Sequence, residues 1–395
     1  MAMVGNFFIQ VTWALFLILS VYIKTLGGND SQVAAIMGGA GISAMVAIPA
    51  VALLVDRVGR RPFMIAGGLC ALIGSAVFIA VPYLSIWMFV ARIIQGIGFS
   101  LYSNASLTML ADLLPPERRG KGVGLYGLAG NTAVAIGPPI AEALVEATGS
   151  YRLVFLMGSL LALGAAIMSF KTVEAKRPTG SLALKPFRRE HAWALREPTA
   201  VAVLQGVGFG VLVTFVPAYA QASGVLFTTF FLAYTSTVVL SRVLGGRLVD
   251  APDRHRLVAP FLVMGAVAVA ILATGAGAAT FIVAGILFGF AHGVLWPVLS
   301  ALVMDQARAE HRGKSLGIFS LGFSMGANLL VIAYGAAADL VGYRWMFVLT
   351  SATLAGAAWY AHEHGKTHPY RVVERTGRVR GAPLERKPPV QADTS

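Results

Sequence analysis

Several residues of this chain have types and spacings suited to chemistry, and all lie in or beside long apolar stretches. Arg92 stands seven residues into the stretch that begins at Ser85, and Glu142 stands seven residues before Gly149. At about 1.5 Å per helical residue, each is roughly 10 Å from the same end of its helix. Charges at such depth in an apolar helix are costly and usually functional. Two readings stand side by side. Arg92 and Glu142 neutralise each other, or Arg92 ties to a neighbouring helix backbone and Glu142 takes up and releases protons. His292 is the third titratable group in an apolar stretch. Histidine is the side chain that changes charge near neutral pH, although an isolated buried histidine more often serves as a neutral hydrogen-bonding group. The fourth feature is the mixed-charge segment Asp56-Arg57-Val58-Gly59-Arg60-Arg61. Gly59 frees the backbone of a tight turn, and Pro62 suits the first turn of the next helix. Such a segment either orients the chain in a membrane or makes charge pairs in one state that break in another.

Other chemistry is poorly supported. Gly206-Val207-Gly208-Phe209-Gly210 has no preceding strand and no Walker lysine, so it does not read as a nucleotide loop. Metal ligands do not cluster, and no nucleophile–base arrangement is recognisable; His362, His364 and His368 fall in a polar tail. Neither enzyme chemistry nor a cofactor is expected. Polar residues instead form stripes. Asn6, Gln10 and Trp13 share one helical face, as do Asn131, Pro138 and Glu142, then His292 and Trp296, then Ser320, Ser324 and Asn328. Gln205 adds a polar group to the seventh apolar stretch. For the stripes of the fifth and eleventh stretches, helix–helix hydrogen bonding explains the pattern equally well.

The elements that carry these residues are membrane helices. The 395 residues are 57% hydrophobic and only 12% charged, about half the charged share of a soluble domain. Apolar stretches of about 20 residues recur twelve times. Of the 31 Lys and Arg, all but Lys24, Arg92, Arg152, Arg242 and Arg344 then fall on one side. That asymmetry places both termini in the cytoplasm and accounts for the net charge of +13 without nucleic acid as a partner. The single cysteine, Cys70, excludes a disulfide framework within the chain. The reading divides the chain into 1–170, a cytoplasmic linker 171–197, 198–361, and a disordered cytoplasmic tail 362–395. Leu182, Leu184, Phe187, Trp193 and Leu195 in the linker either form an interfacial helix or belong to a solvated tether.

The two long parts are copies. Asp112, Glu117, Arg119, Gly120, Lys121, Gly124 and Gly149 recur 193 residues later as Asp305, Glu310, Arg312, Gly313, Lys314, Gly317 and Gly342. The Asp56 segment is echoed, one residue out of step, by Asp250 and Asp253-Arg254-His255-Arg256. A repeat of this length is half a molecule rather than a solenoid unit. Homologous membrane halves are the design of an alternating-access transporter, with substrate held between them.

Four segments carry a resemblance to the major facilitator superfamily over about residues 3–361. They are Asp56 to Arg61, Arg92-Ile93-Ile94-Gln95-Gly96-Ile97-Gly98, Pro116 to Lys121, and Gly246-Arg247-Leu248-Val249-Asp250. Gly124, Gly137 and Pro138 resemble the fifth-span motif of the drug/metabolite:proton antiporter branch, although Ala52, Ala133 and Ala141 stand where the family's motifs have glycine. The resemblance implies an all-α membrane fold of twelve transmembrane helices in two homologous six-helix halves. It implies that Asp56, Arg57, Gly59, Arg60, Arg61 and Asp250 latch the cytoplasmic ends of the halves. It implies that spans 1, 4, 7 and 10 line the cavity, so Gln10, Trp13, Gln205, His292 and Trp296 are the candidate substrate contacts. The expected protein is a monomeric secondary transporter of the inner (cytoplasmic) membrane. It exports a small organic molecule in exchange for protons. An uptake symporter or facilitator for a sugar or metabolite, and a non-transporting sensor on the same fold, are the alternatives.

Overall fold

The computed structural model describes residues 1–114, 119–172, 195–244, 253–275, 277–307 and 312–367. The linker from 173 to 194, Asp250, the Pro116–Arg118 segment and the tail from 368 onward lie outside the described residues. Of Asp56 and Arg57 only the backbone is described.

Every regular element among the described residues is a helix, as expected where apolar residues recur all around the helical circuit. The first rod is α1 (Ala2–Leu15), a 3-10 turn at Phe16–Ile18 and α2 (Leu19–Thr25). It is followed by α3 (Asp30–Val58), α4 (Arg60–Ala80), α5 (Ile86–Leu113), α6 (Arg119–Thr148) and α7 (Tyr151–Phe170). The second half comprises α8 (Arg196–Ala222), α9 (Thr228–Leu244), α10 (Val258–Thr274), α11 (Ala278–Gln306), α12 (Arg312–Ser324), a π-helical turn at Met325–Leu330 and α13 (Val331–Thr367).

Nine helical stretches among the described residues are long and apolar enough to cross a membrane. One of them, 314–364, is a hairpin. Its helix breaks at Gly342, where φ of 79° suits only glycine comfortably. Tyr334 Oη and Thr353 Oγ1 then meet at 2.6 Å, whereas 19 residues of continuous helix would part them by roughly 28 Å. The α6 and α9 helices, of 30 and 17 residues, fall outside the nine. The last helix reaches Thr367 rather than stopping near residue 361. His362 and His364, expected in a disordered tail, are therefore helical, and His364 Nδ1 lies 3.1 Å from the Tyr360 carbonyl oxygen.

Small residues set how closely the rods approach. A Cβ on Gly96 would strike the Ala40 carbonyl, and one on Gly326 would strike the Val203 carbonyl. Close backbone approach of this kind replaces the hydrophobic driving force that lipid does not supply. A buried aromatic cluster of Phe16, Phe78 and Phe155 fills the first half, with ring centroids 5.3–5.4 Å apart.

Candidate functional site

Between the halves lies a cavity of about 450 Å³. The first half contributes Gln10 and Trp13 from α1, Arg92 and Phe99 from α5, and Asn131 from α6. The second contributes Phe209 from α8, Tyr234 and Arg242 from α9, His292 from α11, and Asn328 from the π-helical turn. That turn widens the backbone spiral by one residue and brings Asn328 to the wall, a common use of such bulges.

Arg92 is 3% exposed. Its guanidinium lies 5.0 Å from the Trp13 ring centroid, and Nη1 donates to Gln95 Oε1 at 2.9 Å. Gln95 in turn donates to Ser75 Oγ at 2.9 Å, which fixes its amide. Trp13 is braced from its other neighbour, Phe99, at 4.6 Å between centroids. A cation over a tryptophan face is an attractive arrangement, but it leaves the positive charge without a counterion. Arg92 Nε has no hydrogen-bond partner.

His292 is surrounded by rings. Phe209 stacks on it at 5.1 Å, and Tyr234, Phe288, Phe323 and Trp296 stand within 6.4 Å. Its Nδ1 faces Gln205 Nε2 at 3.4 Å. Such packing holds the imidazole in one orientation.

The geometry corrects several sequence expectations. Gln10, Trp13 and His292 are on the cavity wall. Gln205 and Trp296 are one layer behind it: Gln205 supports His292, and Trp296 packs on Phe319 and Phe323 at 5.0 and 4.8 Å. Arg92 and Glu142 do not pair. Glu142 turns to the other half, where Oε1 and Oε2 accept the backbone N–H groups of Phe227 and Thr228, both at 3.0 Å. Equal depth placed the two charges at one level without fixing the direction in which each points. Glu142 lines a second cavity of about 290 Å³ with Glu146, Tyr151 and Gln221.

The other inter-half contact of this kind escaped the sequence. Asp339, in α13 just before the break at Gly342, accepts the N–H groups of Asp30 at 2.6 Å and Ser31 at 2.9 Å, and the Ser31 hydroxyl at 2.5 Å. Asp30 also meets Lys24 Nζ at 3.1 Å and accepts from Tyr343 Oη at 2.6 Å. The signal was the capping box at Asn29 and Gln32, which marks a helix start whose free N–H groups attract an anion.

At the opposite end, two described charge pairs lie inside their own halves. Buried Arg60 meets Asp112 through Nε and Oδ2 at 3.0 Å, and Arg254 Nη2 meets Asp305 Oδ2 at 3.1 Å. Arg61 donates to the Phe170 carbonyl, again within the first half. Gly59 has φ of 106° and makes the turn between α3 and α4.

Similarity to known proteins matches this architecture. The sequence profile of the Major Facilitator Superfamily fits residues 2–274 and, again, 199–389. The staphylopine export protein of Staphylococcus aureus is 25% identical over 356 residues, 84% of this chain and 88% of its own length. The multi-drug resistance efflux pump PmrA of Streptococcus pneumoniae is 24% identical over 369 residues, 89% of this chain and 92% of its own. Among solved structures, a peptide transporter (POT, E310Q mutant) superposes with a TM-score of 0.79 at 13% identity, covering 93% of both chains. A D-xylose-proton symporter superposes with a TM-score of 0.75 at 17% identity, covering 91% of this chain and 95% of its own. The chain belongs to the Major Facilitator Superfamily and is a multi-pass membrane transporter of small molecules.

Proposed function

We propose that this transporter is a proton-driven exporter working by alternating access. The observation that carries the reading is the set of charged contacts that join the halves at one end. At the end bearing Lys24 and Asp339, carboxylates of each half hold helix starts of the other. The central cavity thus sits behind a closed gate at one end. The basic-residue distribution supports that end as the outer one.

Glu142 is the coupling residue in this scheme. Its ionised carboxylate holds Phe227 and Thr228 across the gate, and it faces a cavity distinct from the substrate cavity. With the outer gate open, Glu142 takes up a proton from outside; closing the gate presents it to the Phe227 and Thr228 N–H groups, which favour the ionised carboxylate, and the proton leaves toward the cytoplasm. Two relatives named for export support the outward direction. The test is uptake into inverted membrane vesicles under an imposed pH gradient. Export predicts gradient-dependent accumulation inside them, abolished by a protonophore. Accumulation only in right-side-out vesicles would reverse the direction.

A further inference from the structure

We propose that the central cavity selects small organic carboxylates, with Arg92 and Arg242 holding the carboxylate groups from opposite halves. The proposal rests on the transporter reading and deepens it by naming a substrate class.

The cavity carries two fixed cations and no acid among its described lining residues. Arg92 belongs to α5 in the first half, and Arg242 to α9 in the second. Neither forms an ion pair among the described residues. Arg92 is almost fully buried and keeps an unbonded Nε, while Arg242 is exposed to the cavity beside Tyr234 and His292. Uncompensated charge inside a membrane protein is expensive, so its retention calls for an occupant that offsets it. A carboxylate is the natural complement of a guanidinium, because its two oxygens match the N–H fork. An ammonium would meet two like charges.

The rest of the wall specifies the body. Trp13, Phe99, Phe209 and Tyr234 offer apolar faces, and Gln10 and Asn328 offer amides. The volume of about 450 Å³ falls in the range of sites for drug-sized molecules. Inorganic phosphate would satisfy the arginines and leave the aromatic faces without contact. Because the arginines sit on different halves, a bound dianion draws the two halves together around it. Each guanidinium is then satisfied only in a state that contains substrate.

Calorimetry on the detergent-purified full-length protein tests the proposal with three matched probes: N-benzoylglutamate, its dimethyl ester, and N-benzoyl-ethylenediamine. The diacid should bind at least tenfold more tightly than the ester or the amine. Arg242→Gln and Arg92→Gln should each weaken the diacid at least tenfold and leave the ester unchanged. Arg242→Lys and Arg92→Lys should recover part of the loss. Unliganded Arg92→Gln should melt no lower than wild type, whereas a structural arginine would lower its Tm. Ester or amine binding equal to the diacid, or no diacid binding, overturns the proposal. Counterflow in proteoliposomes separates the two readings. Diacid binding without counterflow keeps the anion site and rejects transport of this probe; counterflow of the amine but not the diacid keeps transport and rejects the anion site.

Discussion

Glu142 and Asp339 perform the same task from opposite halves, each capping the first N–H groups of a helix in the other. The 193-residue repeat carries Glu146 onto Asp339, so the equivalence of the two caps is one helical turn out of register. A carboxylate at a helix start gains from both hydrogen bonds and the helix dipole. On the alternating-access proposal both contacts break when the halves part, so they are predicted to act as gate elements rather than supports of either half.

Neutralising a cap should therefore shift the gate without unfolding a half. Asp339→Asn is expected to favour the open outer gate by about 1 kcal/mol, roughly a fivefold change in population. Spin labels at Thr25 and Arg344, both exposed at this end, should report a larger share of long distances. An unchanged distance distribution would leave the cap without a gating role.

Glu142→Gln should uncouple transport. Substrate flux becomes independent of the pH gradient, while downhill exchange persists. Uphill transport at the wild-type rate would exclude Glu142 as the coupling site.

Arg92 and Glu142 line separate cavities. The stability changes of Arg92→Gln and Glu142→Gln should add to within about 0.5 kcal/mol in the double variant. A larger interaction energy, measured by thermal unfolding, would indicate a direct pair.

Gly38 faces the Asn328 carbonyl across the halves, and a Cβ there would lie 2.5 Å from that oxygen. Gly38→Val should hold the outer gate ajar and cut transport by at least tenfold, with expression retained. The same Thr25–Arg344 distance measurement reads the effect.

Single cysteines at Gly28 and Lys185 should label from opposite sides of the membrane, because the basic connections lie with the linker. Labelling of both from outside intact cells would overturn the orientation.

Much of the fold was legible in the chain itself. Apolar length and the 193-residue repeat identify a helical membrane protein in two halves, because lipid leaves the backbone few alternatives to helices. Helical spacing put Gln10 and Trp13 on one face, and that face does meet the cavity. Trp296 shares a stripe with His292 yet packs on Phe323, and Gln205, expected at the cavity from the family resemblance alone, faces His292; neither periodicity nor resemblance states which side chain reaches the wall.

What the sequence determined by itself was depth and membership of a face, both of which follow from counting along a helix. Tertiary structure alone decided the partners. It turned Glu142 away from Arg92 toward the start of α9, paired Asp339 with Asp30 and Ser31 across 309 and 308 residues, and brought Arg92 and Arg242 to one cavity. These outcomes depend on how each helix is rotated about its axis and on which half it faces. Rotation is set by glycine contacts such as Gly38 against Asn328, and one-dimensional periodicity carries no record of that neighbour.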